Sequence, residues 1–193
     1  MRHSWVLAML AMPAAAQEHP RVQPSRDVVV DYRVEGAAAE VVPGGAPGRL
    51  RLSWDAAGQR LRAEAEGRTQ ALLADLRGHT AMMVDSALHT AITLPVRGGD
   101  IQALSLEGAR LTRRGTVAVA GLGCTEYDVQ ASRGTGTVCL TPDGVALRGR
   151  GVVNGRSGSF MAESVSYGAL PPMLFQPPPG TMQLRIPGLE RLR

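Results

Sequence analysis

The chain has 193 residues, 44% of them hydrophobic and 20% charged, which is enough apolar material for one real core and excludes disorder throughout. Its formal net charge of +4 sets arginine alone against acid, because the sequence holds no lysine. So mild an excess, spread over alternating positions such as Arg49, Arg51, Arg60 and Arg62, reads as solvated strand faces rather than a nucleic-acid surface.

Residues 1–16, MRHSWVLAMLAMPAAA, read as a signal peptide. Arg2 is the basic start, Trp5 to Met12 the apolar run, and Ala14-Ala15-Ala16 the small-residue cleavage site before Gln17. That run is too short to span a bilayer, which takes about 20 residues. No other run is long or apolar enough, so the mature chain is expected in the periplasm without a transmembrane segment. Residues 17–26, with Pro20 and Pro24, read as an extended lead-in, residues 27–187 as a single β-rich domain and residues 188–193 as a tail.

Within the domain, Asp27 to Val34, Arg49 to Trp54, Gln59 to Ala65, Thr69 to Leu76, Thr80 to Asp85 and His89 to Leu94 read as six short strands. Short turns between them predict an antiparallel meander. Asp100 is placed to cap a short helix through Leu106. Strands resume at Leu111 to Ala120, through the stretch holding both cysteines, at Val145 to Val153 and at Ser159 to Tyr167, with a last one at Thr181 to Ile186. Prolines at 171–172 and 177–179 frame Met173-Leu174-Phe175, an apolar plug expected over the end of the sheet. No internal repeat and no linker stand out.

Cys124 and Cys139 in an exported chain read as one disulfide. Closing a loop of this size stabilises by about 3 kcal/mol on the chain-entropy account. A hairpin turning at Arg133 to Gly136 does not set the two cysteines opposite each other. The pairing requires a turn nearer Ala131-Ser132, or a bulge.

Chemistry is harder to find. His79 and His89 are spaced to neighbour each other across strands, but no third metal ligand accompanies them. Gly155 to Ser159 is not a nucleophile elbow, and Gly134-Thr135-Gly136 lacks the third glycine of a dinucleotide site. The carboxylates Asp27, Asp31, Glu35, Glu64 and Glu66 show no acid and base pairing. Arg110, Arg113 and Arg114 form the densest basic cluster, either a surface for acidic headgroups or an acidic partner, or a charged turn before Gly115. The expectation is a protein that is not an enzyme, with no cofactor, no metal and no nucleic-acid partner.

Several motifs together resemble a known family: Pro24-Ser25-Arg26-Asp27-Val28, the stretch Leu72 to Asp85, Val119 to Cys124 with Tyr127, Val138 to Val145, and Val165-Ser166-Tyr167-Gly168 with Leu174-Phe175 and Pro178-Pro179-Gly180. In this order they resemble periplasmic proteins of the outer-membrane lipoprotein carrier superfamily, with its LolA/LolB-like fold, and most of all a branch of small exported proteins with no assigned activity. The resemblance implies a mainly β fold, a curved antiparallel sheet or incomplete β-barrel with one or two short helices. Its concave apolar side would hold a lipid or a lipoprotein acyl chain. Leu72, Met82, Met83, Ile92 and Leu94 are the candidates to line that side, with the inward-facing alternate set left open. The expected function is binding or carrying a lipid or other apolar ligand. The alternative is a non-catalytic interaction or structural module of the cell envelope whose concavity its own side chains fill.

Overall fold

Among the described residues, period-two alternation of apolar side chains produces twelve strands, and all twelve join one open, curved sheet that does not close into a barrel. The computed structural model describes residues 19–41, 47–94, 106 and 108–184. The expected signal peptide, all of the expected Asp100 to Leu106 helix but its last residue, the end of the expected last strand and the expected tail lie outside the described residues. The strands are β1 (Val28–Gly36), β2 (Gly48–Asp55), β3 (Arg60–Ala65), β4 (Gln70–Asp75), β5 (Thr80–Asp85), β6 (Thr90–Leu94), β7 (Arg110–Val119), β8 (Leu122–Ala131), β9 (Gly134–Leu140), β10 (Ala146–Val153), β11 (Arg156–Tyr167) and β12 (Met182–Leu184). Short 3-10 turns follow β1 at Ala37–Val41 and precede β12 at Pro172–Phe175.

In space the order is β12-β6-β5-β4-β3-β2-β1-β11-β10-β9-β8-β7. The predicted meander is therefore present as β1 to β6, and β1 sits in mid-sheet with β11 on its other flank. Neighbours are antiparallel except β12, which lies parallel to β6. The even-numbered residues of β1, Val28, Val30, Tyr32 and Val34, all enter the main core, with Leu50 and Trp54 from β2 and Leu147 from β10. Burying a side chain of this size stabilises by about 2 kcal/mol. The polar tips of the two aromatics buried in the main core are satisfied: Tyr32 Oη donates to the Ala146 carbonyl at 2.7 Å and Trp54 Nε1 to that of Pro24 at 2.8 Å.

A repeat missing from the sequence reading governs three of the meander's turns. Asp55, Asp75 and Asp85 each end a strand and turn a carboxylate back to accept a loop N–H, from Gly58 at 3.0 Å, Gly78 at 2.7 Å and Leu88 at 3.2 Å. Four residues after each aspartate the backbone is left-handed, at Gln59 (φ 51°), His79 (φ 49°) and His89 (φ 48°). The histidines are thus turn residues at opposite ends of β5, a strand about 20 Å long, and they do not neighbour each other.

The other half is less regular. Ladder register slips between Asp31 and Tyr32, between Arg113 and Gly115, and between Ala146 and Arg148. Gly36, Gly158, Gly151 and Gly136 stand in register across β1, β11, β10 and β9. A Cβ at Gly136 would meet the Arg150 carbonyl oxygen at 2.4 Å, and one at Gly151 that of Thr135 at 2.6 Å. The row is what lets these strands bend so closely together.

The disulfide joins Cys124 to Cys139 with a Cα separation of 5.5 Å. The hairpin turns at Ser132-Arg133, near the earlier of the two expected places, yet Cys139 stands opposite Glu126 rather than Cys124. Cys124 lies two residues along on the same face. In a flat ladder such a diagonal runs about 7–8 Å, and the twist of the strands closes it.

Candidate functional site

Ladder register assembles an apolar row across the meander. Val30 opposes Leu52, Leu52 opposes Ala63, Ala63 opposes Leu72, Leu72 opposes Met83, Met83 opposes Ile92, and Ile92 lies beside Leu184 of β12. Because side chains alternate at period two, all seven share one face. A second row beside it runs Val28, Trp54, Leu61, Ala74, Ala81 and Leu94. Exposure along the first row is 1% at Val30, half-buried at Leu52, and then rises outward from Ala63: 2% at Ala63, 7% at Leu72, half-buried at Met83 and Ile92, and 39% at Leu184. Met182, two residues before Leu184 on the same face, is 65% exposed.

Four of the five candidate residues, Leu72, Met83, Ile92 and Leu94, therefore come together. Met82 does not, because it opposes Leu73 and Thr93 on the other face. There it packs with Leu73, Val84 and Ala91 in a small cluster of its own. β4 is buried on both faces at Ala71 to Ala74, which is why alternation at Leu72-Leu73 does not show in the sequence. Leu184 and Met182 were missed. Their alternation in TMQLRI was visible, but their partner strand was not.

The Met173-Leu174-Phe175 plug, expected over the end of the sheet, lies on the face opposite the apolar row. Arg62 Nη1 donates to the Leu174 carbonyl at 3.0 Å, and the Arg60 guanidinium sits 5.3 Å from the Phe175 ring centroid. Arg60 and Arg62 alternate with Leu61 and Ala63, so the plug covers the back of β3. Of its three residues only Phe175 is buried, and Met173 is 74% exposed.

Three of the family-like motifs converge at a polar node. Asp143 accepts from Arg26 Nε at 2.8 Å and from Thr141 Oγ1, with Tyr167 Oη at 3.4 Å. The Arg26 guanidinium lies over the Tyr167 ring at 3.7 Å, and Ser25 N–H donates to the Asp143 carbonyl at 2.9 Å. Burial pushes the Asp143 carboxyl up, but the hydrogen bonds from Thr141, Arg26 and Tyr167 win and hold it below the usual carboxylate range. This node fastens the lead-in to the β9–β10 turn. Its groups saturate one another. An open cavity of about 640 Å³ beside it is lined by Arg26, Asp27 and Tyr167 with small residues, and another of about 740 Å³ follows the glycine row. Neither is lined by the Leu72, Met83 and Ile92 row.

On the back of β1, β2 and β11, carboxylates and arginines pair across strands. Asp31 accepts from Arg51 at 2.7 Å, and Glu163 from Arg33 at 2.6 Å and Arg49 at 2.9 Å. Among the described residues no group of three or more His, Cys, Asp or Glu is placed to hold a metal, and no helix is long and apolar enough to cross a membrane.

No protein-family model and no curated protein matches the chain in sequence. Solved structures do share its architecture. A conserved uncharacterised protein from Thermus thermophilus aligns with a TM-score of 0.54 at 12% identity, over 84% of this chain and 91% of that one. The MucA/MucB complex of Pseudomonas aeruginosa aligns with a TM-score of 0.49 at 17% identity, over 75% of this chain and 53% of that one. A domain assigned to outer membrane lipoprotein sorting from Vibrio parahaemolyticus aligns at 0.39 and 10% identity, over 78% of this chain and 89% of that one. This chain thus spans about half the length of the MucB structures, at 56% and 53%. At 12% identity the likeness to the Thermus thermophilus protein is one of fold.

Proposed function

We propose that this protein is an exported, non-catalytic binding module of the cell envelope, which takes an acyl chain or similar apolar group at the open end of its apolar face. The observation behind this reading is the gradient along one row, from Ala63 at 2% exposure to Leu184 at 39%. The centre of the face is filled by its own side chains, so the proposal puts the ligand at the more exposed β5, β6 and β12 end. Met83 and Met182 suit such a surface, because an unbranched thioether adapts to varied shapes. The Cys124–Cys139 disulfide fits an oxidising compartment, as export requires. Polar clusters saturated by one another, as around Asp143, are built for holding segments together rather than for proton transfer.

The filled centre also favours a second reading, an interaction module that carries no small ligand. The two separate in one experiment. Protein purified natively from periplasm is analysed by lipid mass spectrometry, then delipidated and titrated with a fluorescent fatty acid. Saturable binding, weakened at least tenfold by Ile92→Asp in a variant with unchanged circular dichroism, supports uptake on this face. A folded wild-type chain that neither copurifies with lipid nor binds the probe leaves the interaction module standing.

A further inference from the structure

The two edges of the sheet are finished differently. The β6 edge is covered by β12, a short parallel strand from the same chain. The β7 edge has β8 on one side and no described strand on the other. β7 is ten residues long and falls into two parts. Its first part carries the basic cluster of the sequence, Arg110, Arg113 and Arg114, all exposed. These arginines are strand residues around a register slip, not the charged turn that was one of the two expectations. Its second part, Thr116 to Val119, is uncharged and rich in residues that favour strands.

Charge, brevity or a bulge is the usual guard of an open edge against added strands. Arginines and the register slip protect the first part of β7 in that way. Among the described residues nothing of the kind protects the second. An edge both long and half unguarded is a template for β-augmentation, where main-chain hydrogen bonds supply affinity and side chains supply choice. Of the nearby acids, Asp128 pairs with Arg114 at 3.6 Å, with both side chains about half exposed, and Glu126 is engaged by Arg148 at 2.6 Å.

We infer that the Thr116 to Val119 part of β7 receives an extended polypeptide segment as an added strand, and that the acidic carboxyl-terminal half of that segment runs on over the guarded part and meets its arginines through side-chain charge. In the commoner antiparallel arrangement the carboxyl-terminal half of the incoming segment meets Arg110 to Arg114, and its amino-terminal half meets Thr116 to Val119. The segment is therefore acidic toward its carboxyl end and neutral, β-branched toward its amino end. This surface is separate from the apolar row, and neither inference depends on the other.

The test uses the full mature chain and a fluorescein-labelled decapeptide, with Val-Thr-Val-Thr in its amino-terminal half and three glutamates in its carboxyl-terminal half, followed by fluorescence anisotropy. Three companions are a peptide with lysines for the glutamates, one with two successive prolines in the neutral half, and one with the halves exchanged. The parent should bind saturably and each companion at least tenfold more weakly. The double variant Arg110→Glu with Arg114→Glu, folded by circular dichroism, should prefer the lysine peptide. A proline peptide that binds as well as the parent would reduce the effect to charge alone and overturn strand addition. Absence of saturable binding by the folded wild type overturns the proposal outright. So does a dimer through this edge, seen by sedimentation, that the parent peptide does not disrupt.

Discussion

The two halves of the sheet obey different rules. From β1 to β6 the ladders run without a register slip, and each residue's face follows from counting by twos. From β1 through β11 to β7, slips at Asp31/Tyr32, Ala146/Arg148 and Arg113/Gly115 interrupt the count. There the glycine row, the disulfide and the polar node hold a shape that alternation alone would not. The regular half grades from core to open apolar face, whereas the irregular half is cross-linked and bent. On the proposed reading, a surface that admits a ligand and a frame that stays put are separate parts of one sheet.

Removing the cross-link breaks this contrast most strongly. Replacing both cysteines by alanine should lower stability by about 3 kcal/mol, read from urea midpoints. Hydrogen exchange should rise first in β7 to β9 and leave β2 to β5 protected. Equal loss in both halves would show that they unfold as one unit, and the contrast would be structural only. Next comes the glycine row. Gly136→Ala should cost about 2 kcal/mol, the scale of an overpacked site, because its Cβ meets backbone at 2.4 Å. Gly115→Ala, with nothing within 4 Å, should be near neutral. If both are neutral, the close bend is not what the glycines are for.

The smallest expected effect concerns the carboxylates. Asp31, lowered first by the Arg51 hydrogen bond, and Asp143, lowered by its partners against burial, both have folded pKa values below their unfolded ones. Their contribution is complete above the unfolded value of about 4 and is lost as pH falls through the lower folded values. Urea midpoints should therefore match at pH 7 and pH 5 and drop by pH 3. Asp143→Asn should remove about 1 kcal/mol at pH 7 and shrink the acid drop. A fall in stability between pH 7 and pH 6 contradicts this assignment.

The meander was legible because polar turns and alternating strands such as RLRLSW carry local signals. Its turn chemistry was only half legible. The aspartates at 55, 75 and 85 are followed by different residues, and the shared left-handed position holds glutamine once and histidine twice. The pairing of β1 with β11 and of β6 with β12 is long-range, and no local pattern announces either. The same limit applied to the candidate site. Leu72, Met83, Ile92 and Leu94 were recognisable as apolar strand residues, but Met82 belongs to the other face, and a one-residue slip in register exchanges the two. The arginines at 110–114 looked like a turn because Gly115 follows them, and what Gly115 marks is a slip within a strand.

Met82 and Met83 are adjacent, chemically identical and on opposite faces, so they offer the most direct test of the central claim. Met82→Gln and Met83→Gln, each confirmed folded, should be titrated with the fluorescent fatty acid beside the wild type. An apolar ligand at the open end of the row predicts binding weakened at least fivefold by Met83→Gln and unchanged by Met82→Gln. Equal effects of the two substitutions, or an effect of Met82→Gln alone, would contradict it.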